Sequence, residues 1–425
     1  MRRPSWSDGF DPLSALRSAP SAPSAANLAL DVQAGPRALA SWAGSSRVLA
    51  MSEPPLRRTS LYEEHVALGG RIVPFAGWEM PVQYTGVVDE HVAVRTAAGL
   101  FEVSHMGELR LRGEFAGHVV DYLVTNDAKK LVDGQAMYTC ACNEQGTILD
   151  DLIVYRRAQD DWLVVCNASN RAKMSAHFER AAKDHCEFED QSDATALIAL
   201  QGPRAFEVLA AVGPAGAALA SLGSFRFTNT TLAGVTCTVA RTGYTAEDGV
   251  EIFCPWSDAP VVWRALMQAG RGVGIKPIGL GARDTLRLEG RLSLYGNDID
   301  ETTNPIEAGL GWVVKLGTPD HPRDFVGRAA LERMMASPLP RKLIGFEVTG
   351  RGIARHGYPL TADDGTVIGL CTSGSPGPTV GKNIGLGYLP SAMTAVGTKF
   401  FVDCRGRNID AVVVPTPFYK RGRAR

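Results

Sequence analysis

The chain has 425 residues, with 44 lysines and arginines against 45 aspartates and glutamates and a formal net charge of −1. That length calls for more than one core, and the balanced charge supplies no overall field to recruit nucleic acid or an anionic membrane. No apolar run approaches the roughly 18 to 20 residues that cross a bilayer, so no membrane partner and no transmembrane helix are expected.

Residues 1–52 differ from everything after them. Ser, Ala and Pro repeat in SAPSAPSAAN, hydrophobic periodicity is missing, and Arg2, Arg3, Arg17, Arg37 and Arg47 outnumber Asp8, Asp11 and Asp31. Such a segment cannot bury a core and is expected to be a disordered extension. It reads either as an over-extended start, with Met51 as the true first residue, or as a transit peptide. The first reading places the protein in the cytoplasm, the second in the mitochondrial matrix.

From about residue 60 to 317 short strand patterns alternate with helical ones. GELRLRG (107–113), ILDDLIVYR (148–156), DWLVVCNA (161–168), TALIALQGP (195–203), GVTCTVART (234–242) and VEIFCP (250–255) predict strands. Helices are predicted over 115–126, 168–184, 203–212 and 258–270. The spacing fits an α+β fold of antiparallel sheets covered on one face rather than a doubly wound parallel sheet. The boundaries drawn are 53–318 for this region, 319–341 for a linker with one short helix, and 342–425 for a segment of strands and turns that reads as a small β-barrel or sandwich.

The eight cysteines are scattered through a long chain, which favours reduced thiols. Cys140 and Cys142 are the one close pair, with no second pair at zinc spacing, so no metal is expected. Neither GLGARD nor GLGYLP completes a dinucleotide fingerprint, PTVGKN fails as a phosphate loop, and HExxH and GxSxG are absent. His105 and His177 read as satisfied core or surface residues.

Within ILDDLIVY strand alternation sends Asp150 and Asp151 to opposite faces. The bland reading puts both in water near a strand end. Other polar residues also sit in apolar or Gly-rich surroundings: Tyr138, Asn167, Tyr244, Glu251, Arg283 and Trp312. Acids, aromatics and an arginine together suit a flat, heteroaromatic, partly anionic ligand, with stacking for its ring, carboxylates for ring N–H groups and a guanidinium for a carboxylate tail. Arg283 and Arg287 share a face of a helix ending at Gly290, where a surface ion-pair lattice with Asp284 and Glu289 is the plain alternative.

The motifs TSLYEEHVALGGRIVPFAGWEMPVQY, LFEVSHMGE, GTILDDLIVY, ALQGP, RTGYTAEDGVEIF, GLGARDTLRLEGRLSLYGNDID, NPIEAGLGWVVKL, TSGSPGPTVGKNIGLGYLP and TPFYKR run in order from Ser60 to Lys420. Together they closely resemble the aminomethyltransferase, or T-protein, family of the glycine cleavage system. The resemblance implies two interleaved α/β subdomains and a C-terminal β-barrel set like a cloverleaf around a central folate site. The implied reaction moves a one-carbon unit from the aminomethyl group carried on the lipoylated H-protein to tetrahydrofolate, releasing ammonia and forming 5,10-methylenetetrahydrofolate. No flavin or nucleotide is implied. Asp151 matches the catalytic acid, with Asp150 supporting it. Tyr138, Asn167, Tyr244 and Trp312 are implied near the folate rings, Glu251 matches the pterin-binding glutamate, and Arg283 matches the folate-binding arginine. Ala246 stands where the family commonly has Gly, which matters if that turn requires a positive φ. Thr147 and Asn304 are smaller departures. The alternatives are a folate-dependent demethylase of a methylated amine or sulfonium compound and a non-catalytic folate-binding iron-sulfur assembly factor. Against the second, ILDDL is intact and YGNDIDETTNPIEAG occupies the region of its KGCYxGQE-like motif.

Overall fold

In the run TALIALQ five consecutive residues are apolar, which a strand tolerates only when both of its faces are covered. The computed structural model describes residues 55–422, so the extension expected at 1–52 lies outside the described residues. Thr195–Gln201 lies inside a sheet, antiparallel to Gly249–Pro255 on one side and to Gly99–Glu102 on the other. Ala196, Ile198 and Leu200 pack into a cluster with Trp263 and Leu266, while Leu197 and Ala199 pack into another with Phe101, Tyr155, Leu163 and Val165. The expectation of sheets covered on one face is corrected here, because a second sheet supplies the cover on the other side.

The first sheet has six strands in the order Phe227–Leu232, Val235–Ala240, Gly249–Pro255, Thr195–Gln201, Gly99–Glu102 and Lys276–Pro277. The second has five, in the order Gln135–Cys142, Ile148–Ala158, Asp161–Cys166, Gly107–Arg112 and Glu187–Asp190, all antiparallel. Gly99–Glu102 belongs to the first sheet, the next five strands to the second, and Thr195 onward to the first again. The two α/β halves are therefore interleaved in the chain. Arg57–Arg58, Arg71–Phe75 and Trp78–Gln83 form a small third sheet.

Helices Ala116–Leu123, Ala205–Val212 and Ala259–Ala269 fall inside their predicted windows. The one expected over 168–184 opens with a 3-10 turn and becomes α-helical only at Arg171, because the amides of Asn167 and Asn170 turn toward Asp150. Helix Val87–Thr96 has no counterpart in the sequence reading, since two of its buried side chains are Glu90 and His91. Glu90 accepts the backbone N–H groups of Tyr84, Thr85, Gly86 and Gly279, so its burial does not strand a charge.

After helix Arg328–Met335 six strands close into a barrel, from Arg341–Val348 to Asn408–Val414. Phe346, Leu360, Phe400 and Val413 fill it. The barrel is tied to the body through helix Leu280–Glu289. Arg287, 1% exposed, pairs with Asp298 at 2.5 Å and Asp284 at 2.7 Å and donates to Ser373 of the barrel at 2.8 Å. Glu289 instead takes Arg95 at 3.0 Å. Of the lattice expected of these residues the Arg287–Asp284 pair is present with Asp284 about half exposed, whereas Arg287 and Glu289 are buried at the junction with the barrel.

Candidate active site

The core shared by the two large sheets does not close completely. Val103, Tyr155, Val165 and Leu197 pass from it into the wall of a cavity of about 930 Å³, a size suited to a ligand of several rings. Strand alternation in Ile148–Ala158 brings Asp151, Ile153 and Tyr155 to that wall and sends Asp150 to the other side, fully buried. Register with the neighbouring strand sets Tyr138 opposite Ile153.

Tyr138 donates its hydroxyl to Asp151 Oδ2 at 3.0 Å, and Asn167 Nδ2 reaches Asp151 Oδ1 at 2.7 Å. The same Nδ2 lies 2.8 Å from Asp150 Oδ1, whose carboxylate also accepts the backbone N–H of Asn167 and the amide of Asn170. One amide therefore sits between two neighbouring carboxylates. Burial raises the pKa of both acids, and for Asp150 the charge of Asp151 adds to it. The reading that left both acids in water is corrected.

Across the cavity Glu251 accepts the hydroxyl of Thr242, and burial raises its pKa. The Arg283 guanidinium lies 4.5 Å from the ring centroid of Tyr244, which donates its own hydroxyl to the Ser293 carbonyl. Trp312, 58% exposed, stacks on Tyr138 with centroids 5.8 Å apart and marks the rim. All seven residues proposed to touch ligand line this one cavity, and Asp150 braces it from behind.

Sequence reasoning missed several lining residues. Arg291 follows the helix end and Arg421 follows the barrel. Arg421 carried a signal in the terminal TPFYKR, whereas Arg291 was masked by Gly290, which looked like the helix terminator. His105 is buried, but its Nδ1 finds no partner, and burial with Arg283 and Arg171 nearby lowers its pKa to about 3. It is a neutral ring left short of a hydrogen bond, not the satisfied histidine expected. All eight cysteines are free, and among the described residues no group of His, Cys, Asp or Glu is arranged to hold a metal ion.

Residues 61–318 match the family model of the GCVT N-terminal domain, and residues 341–420 match that of the glycine cleavage T-protein C-terminal barrel domain. The chain belongs to the glycine cleavage T-protein family. It is 50% identical over 377 residues to an aminomethyltransferase of Rubrobacter xylanophilus, covering 88% of this chain and 98% of the relative. An aminomethyltransferase of Symbiobacterium thermophilum is 48% identical over 371 residues, with 86% and 98% covered. Among solved structures, the glycine cleavage system aminomethyltransferase T of Bartonella henselae superposes with a TM-score of 0.79 at 36% identity, covering 86% of this chain and 98% of that one. Membership in the T-protein family accounts for the two interleaved α/β halves and the closed barrel. These relatives do not favour the demethylase or iron-sulfur assembly alternatives.

Proposed function

We propose that the cavity holds tetrahydrofolate beside the Asp151 carboxylate and receives the aminomethylated lipoyl arm of an H-protein. The chain is a one-carbon transferase of the glycine cleavage system, releasing ammonia as the carbon moves to folate. The observation that carries the finer reading is the state of Asp151. Its oxygens are fixed by Tyr138 and Asn167, yet its side chain still faces a cavity flanked by Glu251, Arg283 and two aromatic rings.

The residues fit a reduced pterin. Glu251 offers a carboxylate to ring N–H groups, Tyr138 and Trp312 offer stacked faces, and Arg283 has no carboxylate within ion-pair distance among the described residues, which leaves its guanidinium donors for a ligand. Tetrahydrofolate supplies the nitrogens that accept the carbon. Asp151 does the electrostatic work, because positive charge grows at the aminomethyl carbon as the C–N bond to ammonia breaks, and a fixed carboxylate in a water-poor site stabilises it. A carboxylate with a raised pKa is also placed to take the proton that the attacking folate nitrogen loses as the new C–N bond forms, while the departing nitrogen leaves as ammonia. Asp150 and Asn167 hold Asp151 in orientation.

The compartment proposed is the cytoplasm, consistent with eight free cysteines; no helix of the described residues is long and apolar enough to cross a membrane. The decisive experiment measures ammonia release from aminomethylated H-protein plus tetrahydrofolate. Asp151→Asn is expected to keep folate affinity within a few-fold and to lower turnover by about 10²-fold or more. Near-normal turnover in that variant removes Asp151 from the reaction.

A further inference from the structure

Four arginines line the cavity: Arg241, Arg283, Arg291 and Arg421. Arg241 forms a two-pronged pair with Asp248, and Arg421 approaches the same carboxylate. Arg283 lies over Tyr244 and acts on the charge of Glu251, so it belongs to the end of the cavity proposed for the pterin. Arg291 remains. Its one hydrogen bond is from Nη2 to the Ala308 carbonyl at 2.9 Å, with no carboxylate in ion-pair distance among the described residues.

The backbone at Arg291 is itself unusual. Helix Leu280–Glu289 ends in a Schellman motif, with Arg291 N–H donating to Leu288 and Leu292 N–H to Arg287. That motif needs a left-handed residue just past the cap, the place glycine favours. Here Gly290 keeps φ −75° and Arg291 takes φ 58°. Gly290 is needed for another reason, since a Cβ there would lie 2.8 Å from that of Ala246. A long side chain in a left-handed conformation is strained, which points to a role for the side chain. The guanidinium lies against Gly309, on the side of the cavity that carries Leu310 and Trp312, and the groups acting on its charge are Asp298 first, then Tyr388 and Tyr138. It therefore stands on the Tyr138–Trp312 side of the cavity, and Glu251 is not among the groups acting on its charge.

We infer that Arg291 binds the glutamate carboxylate of the folate tail, leaving Arg283 to the ring system. The inference rests on the folate reading above. A ligand whose ring is held near Glu251 and whose benzoyl group lies along Tyr138 and Trp312 carries its glutamate away from Glu251, and of the two lining arginines with no carboxylate in ion-pair distance among the described residues, Arg283 and Arg291, it is Arg291 that stands on that side.

The test compares tetrahydrofolate with tetrahydropteroate, the same molecule without its glutamate, by calorimetric titration of the wild-type chain and of Arg291→Gly. Glycine suits the left-handed position, so the variant is expected to fold with an unfolding midpoint no lower than wild type. Wild type is expected to bind tetrahydrofolate about tenfold more tightly than tetrahydropteroate, the scale of one charge-assisted contact. Arg291→Gly is expected to bind both with the weaker affinity, and Arg291→Lys to recover part of the difference. A full preference retained in Arg291→Gly, or none in wild type, overturns the assignment while leaving the folate reading intact. Binding of neither ligand to wild type overturns the folate reading, and this inference with it.

Discussion

Asp150 and Asp151 are neighbours on one strand, and their different surroundings follow from the two-residue period of the pleat. Asp150 is buried on the helix side with three donors, whereas Asp151 keeps two donors and an open side toward the cavity. Both pKa values are raised, chiefly by burial. An acid whose folded-state pKa lies above its unfolded value holds its proton more tightly when folded. Its contribution to stability is complete below the unfolded value near about 4 and is lost as pH rises through the folded one. The wild-type urea midpoint is therefore expected to fall from about pH 4.5 toward neutrality more steeply than that of Asp151→Asn; parallel curves would mean that Asp151 carries no such burden. Ala246 supplies a second test at this scale. Its φ of 63° lies in the region that glycine tolerates best. Ala246→Gly removes about 1 kcal/mol or more of backbone strain and adds about 0.5–1 kcal/mol of unfolded-state entropy. The variant is expected to be neutral or stabilised by up to about 1 kcal/mol in chemical unfolding, and a loss beyond that range would show that the methyl packs usefully.

Helix Leu280–Glu289 carries much of the architecture. One turn holds Arg283 at the cavity and Arg287 at the barrel, and its end sets the path into Arg291. Arg287 and Asp298 are both buried, and Asp298 further accepts the hydroxyls of Thr372 and Ser373. Removing one partner strands the other, so Arg287→Met is expected to cost about 3 kcal/mol or more. Adding Asp298→Asn should recover part of that loss, and a single-variant cost under about 1 kcal/mol would show that the pair does not bind barrel to body. This helix also shows where sequence reasoning reaches its limit. Its amphipathic period and the sharing of a face by Arg283 and Arg287 were legible, but whether a charged side chain meets water or another domain depends on contacts far along the chain. Val87–Thr96 was illegible for the same reason, because its inward side chains are polar and find their partners at Gly279, Thr285 and Thr379. The strands were legible because their patterns are local. The seven cavity residues stood out as polar or aromatic side chains in apolar or Gly-rich stretches and took their separate roles from motif resemblance, but neither spacing nor composition would have gathered Tyr138 and Trp312 into one stack.

At the scale of the whole molecule, the cavity is walled by all three parts of the fold. The five-stranded sheet gives Tyr138 and Asp151, the six-stranded sheet gives Glu251, and the segment after the barrel gives Thr416, Pro417 and Arg421. That last segment is anchored on both sides. Tyr419 N–H donates to the Glu289 carbonyl at 2.8 Å, the Arg95 guanidinium lies 3.9 Å over the Tyr419 ring, and Phe418 packs against the cluster containing Leu288 and Leu343. The final barrel strand ends at Val414, before this segment begins. A chain truncated after Pro415 should thus keep its barrel, with a circular dichroism spectrum close to that of the full chain. It loses the Phe418 packing and is expected to unfold about 1–3 kcal/mol more easily. Its cavity loses part of one wall, so water reaches the ligand and the site's electrostatic interactions weaken. Tetrahydrofolate affinity is expected to fall on the order of tenfold, read by calorimetric titration at a temperature where both chains are fully folded. An unchanged affinity in a folded truncated chain would mean that the tail only pins the barrel to the helix and takes no part in enclosing the ligand.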